Sequence, residues 1–175
     1  YCIFETDKQL CSFFLIEIMT QIQQSAHEAK QASIQLAALD SVVKNQALQA
    51  IADKLAAHAS AIVEANKKDM DRSTQQNLAA PLLKRLKFDE SKIQETIAGI
   101  KSLISLPEPV GQTLAATELD AGLELYKVSC PIGVIGVIFE SRPDALVQIS
   151  TLCLKSGNAA LLKGGSEALE TNRIL

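Results

Sequence analysis

Apolar residues recur at helical spacing through the first hundred residues of the chain. Five segments show this pattern, and they cover residues 20–39, 41–58, 59–72, 81–86 and 90–105. Asp40 or Ser41 is a suitable N-cap for the second segment, and Asp89 is a suitable N-cap for the fifth. Pro107 ends the fifth helix, because proline cannot continue a helix. The sequence therefore predicts a helical N-terminal region over residues 19–110.

The first eighteen residues differ in character from this helical region. They contain three of the five phenylalanines, and residues 11–18 form an apolar run. This run is too short for a transmembrane helix of ~20 apolar residues, and no basic start or cleavage site of a signal peptide accompanies it. Met19 is followed by Thr20 and Gln23, which form a capping box. We interpret residues 1–18 as an upstream extension without function, with an extension packed on the core as the alternative.

The hydrophobic pattern changes to that of β-strands after residue 111. Asp120-Ala121-Gly122 is typical of a turn between two strands, which predicts a β-hairpin over residues 111–131. Residues 132–139 form a β-branched run without polar alternation, which is typical of a parallel strand buried on both faces.

A helix and a second strand follow the buried strand. Pro143 opens the helix, Gly157 is its natural C-cap, residues 159–162 form the strand, and Glu167 begins a last helix. The β-α-β-α order over residues 132–175 predicts an α/β protein with the start of a doubly wound parallel sheet. Because two strands cannot complete such a sheet, we expect the chain to be truncated within it.

Composition and charge narrow the possible functions. The chain is 47% hydrophobic and 21% charged, which argues against disorder, and its formal net charge of -3 provides no broad field for nucleic acid or an anionic membrane. We therefore expect no nucleic-acid partner and no membrane association. The four cysteines and two histidines show no metal-ligand spacing; they are Cys2, Cys11, Cys130, Cys153, His27 and His58. We expect no metal site, and reduced thiols in a cytoplasmic protein.

Neither cysteine of the predicted α/β region is assigned as a nucleophile. Cys153 lies in the middle of an apolar helix, and Cys130 precedes Pro131 in a strand-like segment. Neither has an adjacent histidine that could act as its base. Both are interpreted as structural residues.

Polar residues follow the first predicted parallel strand. Glu140, Ser141 and Arg142 stand between this strand and the next helix. Ligands of open α/β sheets gather at the carboxyl ends of strands, and an arginine there can hold a phosphate or carboxylate by paired hydrogen bonds. A loop with an exposed arginine, and with Asp144 as the helix N-cap, explains the same pattern equally well.

A second candidate site follows the second parallel strand. It consists of Lys163, Gly164, Gly165 and Ser166. Two glycines allow a ligand to approach the backbone closely, so this turn could hold the adenosine side of a dinucleotide. The pattern is neither the dinucleotide-binding glycine fingerprint nor a P-loop, and by itself it favours a plain strand-to-helix turn.

Both candidate sites lie in segments that resemble one family. Residues 130–144, C-P-I-G-V-I-G-V-I-F-E-S-R-P-D, closely resemble the signature of γ-glutamyl-phosphate reductases of the aldehyde dehydrogenase superfamily, and so do residues 152–168. The F-E-S-R-P-D form of residues 139–144 separates this family from ordinary aldehyde dehydrogenases, which have a Trp-Asn-containing loop there. The resemblance extends over residues 19–175.

The resemblance implies a reaction. Members of this family reduce L-glutamyl 5-phosphate with NADPH to L-glutamate 5-semialdehyde and phosphate, a step of proline biosynthesis. A cysteine thiolate attacks the acyl phosphate, and the resulting thioester accepts hydride. The family's cysteine would lie beyond Leu175, so we expect the chain to be the N-terminal part of the enzyme and inactive alone.

The resemblance also implies roles for the two candidate sites. The loop 140–142 corresponds to the oxyanion-stabilising loop of the superfamily, and Ser141 and Arg142 would face the acyl phosphate. The turn 163–166 corresponds to the segment that binds the adenosine ribose of the cofactor. Lys163 is the best single candidate for a contact with NADPH.

The resemblance further implies partners. The full-length enzyme would be a homo-oligomer that uses the hairpin between subunits, with glutamate kinase as its pathway partner. A stand-alone reductase is favoured over a bifunctional enzyme by the start signal at Met19. Two other interpretations remain, a non-catalytic interaction protein and a nucleotide-binding module.

Overall fold

Five helices occupy the described residues before the first strand. The computed structural model describes the backbone of residues 4–175 and the side chains from Gln21 onward. The helices are α1 (Phe4–Ala37), α2 (Ser41–Ala57), α3 (Ala59–Gln75), α4 (Ala80–Leu86) and α5 (Glu90–Ser105).

The helix start predicted after Met19 is wrong. Helix α1 begins at Phe4 and continues through Thr20, because its 34 residues contain neither proline nor glycine to interrupt it. A capping box begins a helix only where the preceding residues leave the helical conformation. We interpret residues 1–18 as an extension without function. Their side chains lie outside the part of the chain that the structure describes.

The two helix N-caps predicted further along the chain are confirmed. The Asp40 carboxylate accepts a hydrogen bond from the Val43 amide at 2.9 Å and caps α2. Asp89 accepts from the Lys92 amide at 3.1 Å and caps α5. The Lys87 ammonium and this amide together hold the pKa of Asp89 below its usual value.

The main core forms where α2, α3, α5 and the later helix α6 (Pro143–Lys155) pack together. Its side chains come from the apolar stripes of these helices and from the segment that joins α4 to α5. They are Leu48, Ala52, Leu55, Ala59, Ile62, Phe88, Ile93, Ile97, Ile100, Leu103 and Val147.

Two buried lysines tie α2, α5 and α6 together. The Lys44 ammonium lies 2.6 Å from the Glu108 carboxylate, which also accepts from the Val110 amide at 3.1 Å. The Lys155 ammonium donates to the Asn45 amide oxygen and to the Leu106 carbonyl, each at 2.9 Å. These bonds satisfy charged groups that would otherwise destabilise the core.

An antiparallel hairpin follows the helices. Strand β1 (Thr113–Asp120) pairs with β2 (Leu123–Val128), and Gly122 has a φ of +75°, as a tight turn requires. The predicted turn is therefore confirmed. Every residue of both strands is exposed, including Leu114, Leu125 and Tyr126.

The second sheet has two parallel strands in the described part of the chain. Strand β3 (Val134–Ile138) pairs in parallel with β4 (Ala159–Lys163). Helix α6 connects the two strands along the chain, as the β-α-β pattern predicts. Helix α1 contacts both strands, and α6 contacts β4. The segment after β4 is a 3₁₀ turn (Ser166–Ala168) followed by α7 (Leu169–Ile174).

The prediction that β3 is buried on both faces is wrong for this chain. Val134 and Val137 are half-buried, and the Ile138 side chain is 79% exposed. The β-branched run indicated the strand correctly. Its exposure depends on the neighbours that cover it, and β4 is the only strand paired with it in the described residues.

Substitutions of two glycines by alanine are expected to change stability in opposite directions. Gly157 has a φ of +71°, and a Cβ there would lie 2.9 Å from Cγ of Pro131. We expect Gly157→Ala to lower the free energy of unfolding by about 2 kcal/mol. Gly99 lies inside α5, and a Cβ there would have open space within 4 Å, so Gly99→Ala should raise the free energy of unfolding by up to ~1 kcal/mol.

Urea unfolding followed by circular dichroism measures both changes on the same chain. The Gly99 variant is the control for the gain in helix propensity that alanine brings. Equal effects of the two substitutions would contradict a left-handed, sterically closed position at Gly157.

Candidate functional site

The two candidate segments lie side by side at one edge of the parallel sheet. Ile138 is the register partner of Lys163, and the Phe139 amide donates to the Lys163 carbonyl at 3.1 Å. The chain therefore leaves β3 and β4 at the same edge, their carboxyl ends. The structure brings together the loop 140–142 and the turn 163–166, as the topology predicts.

The loop 140–142 divides into exposed and buried members. Glu140 is exposed, and the Arg142 side chain is 53% exposed. The Arg142 guanidinium donates to the Asp144 carboxylate at 3.1 Å. Arg142 itself occupies the N-cap position of α6, and Asp144 lies in the first turn, so the alternative of Asp144 as N-cap is wrong.

Ser141 is the buried member of this loop, with 2% of its surface exposed. Its φ of +41° is rare for a residue with a side chain. The Ser141 amide and hydroxyl both donate to the same carboxylate oxygen of Glu167, each at 2.7 Å. The hydroxyl hydrogen bond is the main cause that lowers the pKa of Glu167.

The turn 163–166 presents two exposed side chains, Lys163 and Ser166. Its glycines leave room for the protein's own side chains. A Cβ on Gly164 would meet the Asn172 amide and, at 3.2 Å, the Phe139 ring, and a Cβ on Gly165 would collide with the Glu167 carboxylate. The close approach that these glycines permit is made here from within the chain.

Two charged side chains of α3 form hydrogen bonds with the backbone of this turn and with the start of α7. The Asp69 carboxylate is fully buried and accepts from the Thr171 amide and hydroxyl, each at 2.8 Å, and from the Glu170 amide at 3.2 Å. The Arg72 guanidinium, paired with Asp69, donates to the carbonyls of Ser166 at 3.1 Å and Glu167 at 3.3 Å.

The sequence prediction did not include Asp69 or Arg72 in the site, and it gave no role to Glu167 at the end of the second candidate segment. Both α3 residues lie in a helix whose charges resemble a solvated face, and no local motif marks them. Only the spatial neighbourhood of α3 and the turn after β4 shows their role.

The cysteines and the metal-ligating residue types are the candidates for a second site among the residues that the structure describes. Cys153 is buried, and burial raises the pKa of its thiol, whereas Cys130 is exposed. No group of three or more metal-ligating side chains occurs among the residues that the structure describes. Within the same residues, no helix is long and apolar enough to cross a membrane.

The fold resembles part of a known aldehyde dehydrogenase structure. A probable aldehyde dehydrogenase from Listeria monocytogenes superposes on 90% of this chain with a TM-score of 0.59 at 13% identity, and the match covers 32% of that structure. At this identity, the likeness shows the fold alone. The architecture predicted from the sequence, an α/β chain with an aldehyde-dehydrogenase-like sheet, is therefore confirmed.

Relatives of higher sequence identity indicate the family. The γ-glutamyl phosphate reductase of Ruminiclostridium cellulolyticum is 66% identical over 154 residues, which are 88% of this chain and 36% of the relative. The structure of the Saccharomyces cerevisiae enzyme of the same name is 45% identical, with a TM-score of 0.84 over 86% of this chain and 38% of its own. No family model matches the chain. The chain belongs to the γ-glutamyl phosphate reductase family, and it spans about a third of the length of the curated relatives it matches.

Proposed function

We propose that this chain supplies the substrate loop and part of the cofactor site of an NADPH-dependent reductase that converts L-glutamyl 5-phosphate to L-glutamate 5-semialdehyde. The observation that carries this proposal is the adjacency of the loop 140–142 and the turn 163–166 at the carboxyl edge of one parallel sheet. Ligands of open α/β sheets bind at the carboxyl edge of the strands, and this edge offers one cationic side chain in each of the two segments.

Arg142 is the proposed ligand of the substrate phosphate. Half of its side chain is exposed, and Asp144 holds it through one guanidinium nitrogen. A guanidinium has five N–H donors, so others remain for a phosphate or an acyl oxygen. Glu140 is exposed beside it and would contribute to substrate orientation or proton balance at the loop.

Lys163 and Ser166 are the proposed contacts of the cofactor. An exposed ammonium and an exposed hydroxyl at a strand end fit the hydroxyl and phosphate groups of a nucleotide ribose. NADPH would supply hydride when bound. The role of Gly164 and Gly165 is to let the turn close on its own side chains, which fixes the position of Lys163.

The remaining regions have proposed roles that follow the domain division. Residues 19–110 form the helical support, residues 111–131 the hairpin and residues 132–175 the start of the nucleotide-binding sheet. The hairpin, exposed on all sides, would pair with another subunit of a homo-oligomer. Proline biosynthesis, a cytoplasmic location and glutamate kinase as the supplier of substrate complete the proposal. The nucleophilic cysteine belongs to a part of the enzyme outside this chain.

A chimeric enzyme tests the proposed function. The 154 matched residues of this chain replace the corresponding segment of the Ruminiclostridium cellulolyticum reductase. NADPH oxidation is then measured with L-glutamyl 5-phosphate generated by a glutamate kinase. We expect the chimera to be active, the 175-residue chain alone to be inactive, and Lys163→Ala to raise the KM for NADPH by about tenfold, the effect of one charge-assisted hydrogen bond.

Lys84→Ala is the matched control, because Lys84 is an exposed lysine of α4 outside the site. It should leave both KM values unchanged. A folded chimera without activity would contradict the proposed function, and so would activity of the isolated chain. If Lys163→Ala behaves like Lys84→Ala, the cofactor assignment is wrong while the reductase assignment stands.

A further inference from the structure

One side chain connects the two parts of the proposed site. Glu167 lies in the 3₁₀ turn after β4, yet its carboxylate reaches back to the loop after β3. There it receives two hydrogen bonds from Ser141, both at 2.7 Å. Within the described residues, no other side-chain hydrogen bond joins the loop 140–142 to the 3₁₀ turn.

The backbone of Ser141 needs such a partner. A non-glycine residue with φ near +41° is less stable than in its ordinary conformations by roughly 1–2 kcal/mol. A carboxylate that accepts from both the amide and the hydroxyl compensates for this cost, because hydrogen bonds to an ionised acceptor are stronger than neutral ones. Glu167 therefore stabilises a loop conformation that Ser141 would not adopt alone.

The surrounding residues fit this arrangement. Gly165 leaves the space that the Glu167 carboxylate fills, since any Cβ there would collide with it. Arg72 holds the Glu167 carbonyl at 3.3 Å and the Ser166 carbonyl at 3.1 Å, which anchors the backbone of the 3₁₀ turn on α3. Glu167 is thus held at its backbone carbonyl by Arg72 and at its carboxylate by Ser141.

The hydroxyl of Ser141 has one proton, and that proton is given to Glu167. A hydroxyl engaged in this way cannot donate at the same time to an oxygen of the substrate. Ser141 is also buried, whereas the neighbouring Arg142 is exposed. The two residues of the loop therefore have different tasks.

We propose that Glu167 is a positioning residue that holds Ser141 in its left-handed conformation and thereby directs Arg142 toward the substrate. Ser141 is its internal partner and not a donor to the substrate. The effect of Glu167 on catalysis through Arg142 rests on the proposed function. The hydrogen bonds themselves can be tested without catalysis.

The first test is hydrogen exchange of the Ser141 amide in the 175-residue chain. Glu167→Ala should abolish its protection, and Glu167→Gln, which keeps a neutral acceptor, should retain part of it. Glu170→Gln is the matched control, because the Glu170 carboxylate contacts Arg173 and not Ser141. Equal protection of the Ser141 amide in Glu167→Ala and Glu170→Gln, with global stability measured in parallel, would overturn the proposal.

The second test is kinetic and uses the chimeric enzyme. Ser141→Gly removes the hydroxyl but adopts a positive φ without strain. It should retain a higher kcat/KM than Ser141→Ala, which should lose about tenfold through the strained backbone. Glu167→Gln should itself lower kcat/KM for L-glutamyl 5-phosphate, because the Ser141 conformation is held less firmly. Adding Ser141→Gly to this variant should restore part of the loss, and the KM for NADPH should change little.

The two hypotheses for Ser141 predict different kinetics. If its hydroxyl stabilises the oxyanion, both Ser141 variants lose about a hundredfold in kcat, and the glycine variant rescues nothing. That result overturns the positioning role. If the parent chimera is inactive, the proposed function fails, and the exchange experiment on the chain still decides whether Glu167 holds Ser141.

Discussion

Replacing Asp69 by alanine is expected to lower the free energy of unfolding of this chain by roughly 3–5 kcal/mol, because several donors lose a buried, charged acceptor at about 1–3 kcal/mol each. Asp69 is fully buried on α3 and accepts hydrogen bonds from the Glu170 and Thr171 amides and from the Thr171 hydroxyl. Its loss would leave these donors without their acceptor and would remove the carboxylate partner of Arg72. Such a loss is a large part of the total stability of a typical domain, about 5–15 kcal/mol.

The effect should extend to the proposed site, because Arg72 and Asp69 hold the turn after β4 from the same helix. Without Asp69, the start of α7 loses its capping acceptor and Arg72 loses the carboxylate that orients it. We therefore expect Asp69→Ala to increase hydrogen exchange at Thr171 beyond what global unfolding explains.

Urea unfolding measured by circular dichroism tests this prediction. Asp71→Ala is the matched control, since Asp71 is exposed two positions along the same helix and should change stability by no more than about 0.5 kcal/mol. Asp69→Asn keeps the shape of the side chain but replaces one acceptor by an NH₂ group, so it should fall between the two. A loss below ~1 kcal/mol for Asp69→Ala would show that water replaces the missing bonds.

Helix and turn boundaries followed from the sequence where their causes are local. Asp40 and Asp89 cap their helices through amides three residues ahead, and Gly157, one residue beyond the C-cap Ser156 of α6, has the positive φ that favours glycine. The exception is α1. The capping box after Met19 is also a local signal, but the preceding residues contain nothing that stops a helix, so the helix continues through it.

The contacts that shape the proposed site could not be predicted because their partners are distant in the chain. Asp69 and Thr171 are separated by 102 positions, and Ser141 and Glu167 by 26. Serine has no strong preference for the left-handed conformation, so nothing in the sequence indicates the φ of Ser141. Sequence resemblance identified the segments, but only the fold shows which of their side chains are engaged with each other.

The glycines of the turn 163–166 illustrate the same limit. Their occurrence predicted a close approach, and the structure has one, but the approaching atoms belong to Glu167 and Asn172. A glycine pair indicates that space is needed without indicating what uses it. For this reason, the exposed Lys163 and Ser166 are better candidates for cofactor contacts than the glycines between them.

Replacing Arg142 by alanine in the chimeric enzyme is expected to lower kcat/KM for L-glutamyl 5-phosphate by about a hundredfold, the effect of one to two charge-assisted hydrogen bonds. The guanidinium is the exposed cation of the loop after β3, and Glu167 fixes the neighbouring Ser141. Arg142→Lys keeps the charge but loses the planar arrangement of donors, so it should recover only part of the rate. Inhibition by inorganic phosphate should weaken in parallel.

A purely structural role of Arg142 would act through its ion pair with Asp144, which is buried in the first turn of α6. Asp144→Asn separates the two possibilities, because it removes the negative charge that Arg142 neutralises while leaving the guanidinium in place. If Arg142 binds the substrate, the double variant Arg142→Ala/Asp144→Asn remains as slow as Arg142→Ala. If Arg142 only compensates Asp144, the double variant regains activity, and the assignment of Arg142 to the phosphate is wrong. Arg173→Ala, an exposed arginine paired with Glu170, is the control and should retain full activity.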